Sequence, residues 1–254
     1  MKRTRVGLIG HGRFGGMVRE HLAGRVQLRV FDSDDRRLEN VPQRASLCEV
    51  CSSDFVVLAV PISSLPGLLA EIAPLLRPGC TVLDTCSVKV RPVAWMRESL
   101  SEAVEIVGTH PLFGPDSGRN GIGGHRIVVC PARAARQTVE HISRFLSELG
   151  LVVLEVSPEE HDRQMARTQA IFHLVAQAVR RLGWSPSPIT TPGPEQFYRL
   201  VESVQNDTPQ LFRDLELLNP FAVECRKSFL RELERLDTEL VSSTEARRNS
   251  CEFE

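Results

Sequence analysis

The chain has 254 residues, of which 42% are hydrophobic and 25% charged, and its formal net charge is -1. That length allows one large domain or two modest ones with real cores. The near-neutral charge argues against nucleic acid or an anionic membrane as the main partner, and no apolar run is long enough to span a bilayer.

The first half alternates short apolar runs with helical stretches. The runs are TRVGLI (4–9), VQLRVF (26–31), FVVLAV (55–60), TVLDT (81–85), EIVGT (105–109), RIVVC (126–130) and LVVLEV (151–156). Most are apolar at successive positions, as expected of strands buried on both faces. FGGMVREHLAG and SSLPGLLAEIAPLL read as helices between them. The alternation predicts a parallel, doubly wound sheet over residues 1–156. The character changes at Ser157, an N-cap candidate, with Pro158 at the first helical position and Glu160 as the return half of a capping box. Residues 157–241 read as helical throughout. TPGPEQF (191–197) reads as a breaker, and further breaks fall near Pro209 and Pro220. The stretch from Leu215 to Val241 is amphipathic, and residues 242–254 read as a frayed, disordered tail.

Gly10-His11-Gly12-Arg13-Phe14-Gly15 is a G-x-G-x-x-G that follows a predicted strand and opens a predicted helix. The glycines permit the tight turn and close approach of a pyrophosphate, and the helix N-terminus favours its charge. Asp32 ends the second strand, where a carboxylate accepts hydrogen bonds from ribose hydroxyls. It would repel a 2′-phosphate, so NAD is expected over NADP, with Arg36 and Arg37 close by as the opposing signal. The expected architecture is therefore an α/β, doubly wound dinucleotide-binding (Rossmann) domain followed by an all-helical domain.

Ligands of such a sheet lie beyond the carboxyl ends of its strands. Ser87 and Lys89 follow TVLDT, and Thr109 and His110 follow EIVG. A neutral imidazole there can take a proton from a substrate hydroxyl as hydride leaves the same carbon. Ser87 can hold that hydroxyl or the imidazole. Seven scattered cysteines include one C-x-x-C, Cys48 and Cys51, without a second pair or a histidine pair. No zinc site is expected, and the cysteines read as reduced thiols of a cytoplasmic protein. The start, MKRTRVGLIG, lacks a signal-peptide core.

The glycine loop, VVLAVP, DTCSVK, THPLFGPDSG and EEHDRQMARTQAIFHLVAQAV, in this order and at these spacings, resemble the prephenate/arogenate dehydrogenase family of tyrosine biosynthesis. The resemblance spans roughly residues 4 to 240 and is nearest to the short plant-type arogenate dehydrogenases. LVESVQNDTPQLF stands where those carry an LVENT--DSFDLY segment. The resemblance implies NAD(P)-dependent oxidative decarboxylation of arogenate or prephenate by a homodimer joined through the helical domain, without a metal. It implies that His110 polarises the ring hydroxyl, with Ser87 as its partner. It also implies that Val60 and Pro61 border the cofactor and that Ser117, Gln169 and His173 contact substrate. Gln169 and His173 are four apart and share a helix face, where each needs a polar partner if buried. An interior role within the dimer core is the competing reading.

The chain departs from the family pattern at Ser203, where many bacterial prephenate enzymes carry a carboxylate-anchoring arginine. Arg199 and Arg167 are the candidate replacements. Asp207 either faces a substrate ammonium, which favours arogenate, or caps the helix beginning at TPQLF. Three alternatives stay open: a dehydrogenase of an amino-substituted prephenate, a two-domain imine reductase or hydroxyacid dehydrogenase, and a non-catalytic nucleotide sensor. No appended mutase or regulatory domain is expected.

Overall fold

The computed structural model describes residues 3–251, with side chains described through Ser243. Seven strands form one sheet: β1 (Arg5–Ile9), β2 (Gln27–Phe31), β3 (Phe55–Leu58), β4 (Thr81–Asp84), β5 (Glu105–Pro111), β6 (Arg126–Arg133) and β7 (Val152–Glu155). Their order is β2-β1-β3-β4-β5-β6-β7. All neighbours are parallel except β5 and β6, which run antiparallel. This corrects the expectation of a wholly parallel sheet. Residues 112–125 contain no helix, and a parallel neighbour needs a crossover that a plain loop does not supply.

Helices α1 (Arg13–Leu22), α2 (Leu47–Cys51), α3 (Leu65–Ile72), α4 (Val90–Ser99) and α5 (Arg136–Glu148) cover the sheet. Side chains alternate across each strand. Val56, Leu58, Val82 and Ile106 pack under α2, α3 and α4, while Leu83, Val107 and Val129 pack against Val139 and Ile142 of α5. The same alternation assigns Asp84 and His110 to the α4 face and Thr109 to the opposite one.

After β7 the described chain is helical. Helix α6 (Pro158–Met165) runs through a π turn at Ala166–Ala170 into α7 (Ile171–Arg181), and α8 (Pro192–Ser203), α9 (Pro209–Leu218) and α10 (Ala222–Cys251) follow. Ser157 caps α6 by accepting from Glu160 N at 3.1 Å, but the Glu160 carboxylate takes Gln164 Nε2 at 2.6 Å rather than closing the box. TPGPEQF is not a breaker. Pro192 sits in the first turn of α8, where its missing N–H costs nothing. The predicted disordered tail is likewise corrected as far as Cys251, because α10 continues through it. Ser242 and Ser243 donate to the carbonyls of Thr238 and Glu239 at 2.9 and 2.8 Å. Residues 252–254 lie outside the described residues. No helix among the described residues is long and apolar enough to cross a membrane.

The junction of β1 and α1 tolerates no side chain. Gly10 has φ +100°, and a Cβ on Gly15 would lie 2.0 Å from the Gly10 carbonyl oxygen. Gly15→Ala should therefore cost about 1–3 kcal/mol and weaken nucleotide binding, as read by urea unfolding and NAD titration. An unchanged midpoint with unchanged affinity would show that the loop relaxes freely.

Candidate functional site

Helix α1 starts without a side-chain cap and without an acidic residue in its first turn. Its free N–H groups and positive dipole end are thus available to an anion above Gly10, Gly12 and Gly15. Arg13 and Phe14 open the helix, and Val60 packs over Gly10. Pro61 follows, exposed. Asp32 is buried at the β2 end. Its Oδ2 accepts His11 N at 2.7 Å and its Oδ1 accepts Asp34 N at 2.9 Å. Arg37 lies 3.5 Å from Asp32 and 3.8 Å from Asp34, while Arg36 pairs with Asp34 at 2.8 Å. His11 Nδ1 meets the Arg37 carbonyl at 2.8 Å, and its Nε2 is buried without a partner. The cradle and the carboxylate fit an adenine dinucleotide.

On the same carboxyl edge of the sheet, three strands along from β1, His110 is buried at the close of β5. Its Nδ1 lies 2.8 Å from His161 Nε2, and His161 Nδ1 lies 2.8 Å from Asp162 Oδ1. Asp162 Oδ1 also accepts Lys89 N at 2.7 Å, and its Oδ2 accepts Val90 N at 2.9 Å. Lys89 is wholly buried. Its ammonium bonds Asp84 Oδ2, and also the Thr109 carbonyl at 2.6 Å. Ser87 is expected to hold the substrate hydroxyl or the imidazole, and occupation of Nδ1 by His161 leaves it the hydroxyl or Nε2. Ser87 is half-buried just before Lys89.

Burial keeps His110 well below its ordinary pKa of 6.5, helped by His161 and Lys89. His161 is also lowered by burial, against the opposing hydrogen bond to Asp162. His161 and Asp162 lie in the EEHDR segment, where sequence alone points to no role for them. Their signal was a histidine and an acid adjacent in a first helical turn, on the side carrying Ala166 and Ala170.

The second cluster joins three segments. Arg13 Nη2 bonds Asp116 Oδ1 at 2.7 Å, Arg13 Nη1 bonds the Asn206 carbonyl at 3.2 Å, and Asn206 Nδ2 bonds Asp116 Oδ2 at 3.2 Å. Asp207, next in sequence, lies 3.8 Å from His173 Nε2. His173 Nδ1 and Gln169 Oε1 are buried without partners. His173 is pushed down to about 4 by burial alone. Asp207 is raised by burial, with Arg13 opposing and Asp116 reinforcing. Burial outweighs the mutual attraction of this pair, as its long separation requires. The capping alternative for Asp207 falls, because Thr208 caps α9 by accepting Leu211 N at 3.1 Å.

Ser117 is exposed and folds back on Gly114. Ser203 bonds the Leu200 carbonyl at 2.6 Å, and Arg199 pairs with Glu195 at 3.3 Å in solvent. Arg167, exposed on the π turn, has no ion pair among the described residues. An apolar cavity of about 380 Å³ lies between α1 and α5, lined by Phe14, Val57, Leu83, Thr85 and Thr109. None of His110, His173 and Asp207 lines it, because it sits on the opposite face of the sheet.

These features define a dinucleotide-binding domain joined to a helical domain, with a buried histidine where the two meet. Residues 31–155 match the family described as prephenate dehydrogenase, nucleotide-binding domain, and residues 178–251 match a TYRAAT1-like C-terminal domain. The chain is 29% identical over 221 residues to arogenate dehydrogenase 2, chloroplastic, of Arabidopsis thaliana, covering 85% of this chain and 57% of that relative. It is 29% identical over 217 residues to 4-amino-4-deoxyprephenate dehydrogenase of Streptomyces pristinaespiralis, covering 82% and 70%. The fold is similar to a prephenate dehydrogenase from A. aeolicus crystallised with hydroxyphenyl propionate and NAD+, with a TM-score of 0.78, 23% identity, and coverage of 96% and 93%. The chain belongs to the prephenate/arogenate dehydrogenase family. It spans about half the length of the plant relative.

Three buried imidazoles with lowered pKa values make a stability prediction. The folded state keeps His110, His161 and His173 neutral, while the unfolded chain takes up protons near 6.5. Stability is then full above 6.5 and falls as pH drops below it, by about 1.4 kcal/mol per pH unit for each histidine still neutral in the fold. Urea midpoints measured from pH 8 to pH 5 should be flat and then decline. A midpoint holding constant from 6.5 to 5 would contradict the burial of these rings.

Proposed function

We propose that this chain is an NAD-dependent dehydrogenase that oxidises and decarboxylates arogenate. The observation that carries the reading is the buried, neutral His110, with Nδ1 already engaged and only Nε2 left for a substrate. The substrate class is a cyclohexadienol carrying a ring carboxylate opposite its hydroxyl. The bound nicotinamide supplies the hydride acceptor. His110 Nε2 takes the hydroxyl proton as the carbon–hydrogen bond breaks. Loss of carbon dioxide then aromatises the ring. Gly10, His11, Gly12, Arg13, Phe14 and Gly15 would hold the pyrophosphate, with Val60 and Pro61 beside it and Asp32 on the adenosine ribose. Buried Asp32 supports NAD over NADP, because its carboxylate would repel a 2′-phosphate, and Arg36 and Arg37 are drawn toward Asp34 and Asp32. Ser87 and Ser117 are assigned to the substrate mouth. The free thiols at Cys48, Cys51, Cys80, Cys86, Cys130 and Cys225 fit a cytoplasmic location.

The arogenate preference rests on Asp207. Relieved of capping and 3.8 Å from His173 Nε2, its carboxylate suits a side-chain ammonium by a charge-assisted hydrogen bond. A keto acid would leave it unpaired, at a cost of about 1–3 kcal/mol. The amino-substituted prephenate reading is kept for one reason, the similarity to the Streptomyces enzyme over most of both chains.

NADH absorbance is followed with arogenate, prephenate and 4-amino-4-deoxyprephenate for wild type, His110→Ala and Asp207→Asn. His110→Ala should lose roughly 10²–10⁴ in turnover. Asp207→Asn should move the arogenate-to-prephenate efficiency ratio at least about tenfold toward prephenate. An unmoved ratio removes arogenate as the preferred substrate, and a fully active His110→Ala removes the base.

We also propose a homodimer through the helical domain. Leu230, Leu233 and Leu236 of α10 are 47, 47 and 48% exposed, Leu200 is 54% and Trp184 is 62% exposed. A helix of about 45 Å with this much apolar surface needs a cover, and a second copy supplies a matching one. Sedimentation equilibrium at micromolar concentration should return twice the chain mass. A monomer with full activity would contradict it.

A further inference from the structure

We propose that His161 and Asp162 are positioning residues that hold His110 in one tautomer, with the proton on Nδ1 and a bare lone pair on Nε2. The argument runs outward from Asp162. Both of its oxygens accept backbone N–H groups from the start of α4, Lys89 N at 2.7 Å and Val90 N at 2.9 Å. That is the bonding pattern of a carboxylate, which only accepts. His161 Nδ1, 2.8 Å from Asp162 Oδ1, must therefore be the donor. A neutral imidazole has one donor and one acceptor nitrogen, so His161 Nε2 carries the lone pair. It lies 2.8 Å from His110 Nδ1, and two lone pairs cannot face each other at that distance. His110 Nδ1 is consequently protonated, and its Nε2 is the acceptor. The ring centroids are 5.0 Å apart and the planes are at 73°, a twist that still lets an in-plane ring N–H meet an in-plane lone pair.

Nothing local to His110 would select this tautomer. An unrestrained histidine favours the proton on Nε2, the form that could only donate to a substrate hydroxyl. Direction is imposed on the pair by α4, whose first two N–H groups orient Asp162. Asn219 Nδ2 donates to the Asp162 carbonyl at 2.8 Å and fixes that turn from the far side. His161 is thus two hydrogen bonds from the α4 backbone and one from the reacting imidazole. It acts through His110 rather than on the substrate.

The inference rests on reading His110 as the base, but its first test needs no substrate. The full chain is labelled with ¹⁵N-histidine, and long-range ¹H–¹⁵N correlations are recorded at pH 7.5. The His110 signals are assigned by their loss in His110→Gln. Expected is a pyrrole-type Nδ1 and a pyridine-type Nε2 for His110. The reverse pattern in the wild type overturns the proposal, and this measurement stands even if a variant does not fold. His161→Leu should shift His110 toward the Nε2–H tautomer and lower kcat at least about tenfold, with KM for NAD and substrate within about twofold. His161→Gln, whose amide oxygen can accept from Nδ1–H, should restore most of kcat. Leu and Gln variants that behave alike, or a His161→Leu enzyme with wild-type tautomer and kcat, would reject the role. A wild type that turns over none of the three substrates yet shows the expected tautomer would reject the dehydrogenase reading and leave the positioning intact.

Discussion

The ion pair of Lys89 and Asp84 is the constraint on which the rest of the structure hangs. Both side chains are fully buried. The lysine stem finds room because Gly108 has no side chain; a Cβ there would lie 3.4 Å from Lys89 Cδ and 3.1 Å from Val93 Cγ2. Asp84 further accepts Cys86 N at 3.0 Å and Thr109 N at 3.3 Å, and the ammonium takes the Thr109 carbonyl. Such a pair gains little over a well-packed apolar core, since desolvation roughly cancels attraction, but losing one partner is severe. Its consequence here is geometric. One residue fixes the end of β4 to the end of β5, immediately before His110, while its backbone N–H reaches Asp162 in the helical domain.

The two domains therefore meet through two kinds of contact. At the inner one, buried Asp162 accepts the Lys89 and Val90 N–H groups, His161 links Asp162 to His110, and Asn219 braces the Asp162 carbonyl, which makes it rigid. At the outer one, Arg13, Asp116 and Asn206 bridge the glycine loop, the loop after β5 and the α8–α9 link. The Arg13 side chain is 51% exposed, and exposed pairs of this kind contribute little. A stiff inner contact holds the imidazole, and a weak outer one leaves the mouth free to part. That division suits the proposed function, in which a ligand is admitted without disturbing His110.

What could be read from sequence follows the range of the forces involved. The strands and the glycine turn are encoded by near neighbours, so composition and spacing reveal them. His110 was legible because it falls at the carboxyl end of an apolar strand, where the ligands of such a sheet lie. The β5–β6 reversal was missed although the helix-free stretch 112–125 carried the signal. His161 and Asp162 were missed because SPEEHDR looks like a solvated first turn, and only packing against α4 turns its His-Asp side inward. Asp207 stayed ambiguous for a similar reason. Asp207 and Thr208 are adjacent potential caps, and the one-residue difference that leaves Asp207 facing His173 is a matter of backbone geometry.

The charges around His110 fit the proposed reaction better than they fit a structural core. Lys89 and Asp84 neutralise each other at bonding distance, so the net charge near the histidines is that of Asp162, set back behind the His161 ring. In the resting state this arrangement does not recruit a proton, since burial and the nearby ammonium oppose the imidazolium. When Nε2 accepts a proton, the new charge is shared through Nδ1–H to His161 and onward to Asp162, along bonds already formed. The stabilisation thus appears mainly as charge develops, and a pre-aligned chain needs no reorganisation to supply it. A carboxylate in direct contact with His110 would instead have favoured the protonated resting state and removed the base. The interposed histidine is what lets one acidic residue orient the imidazole without first charging it.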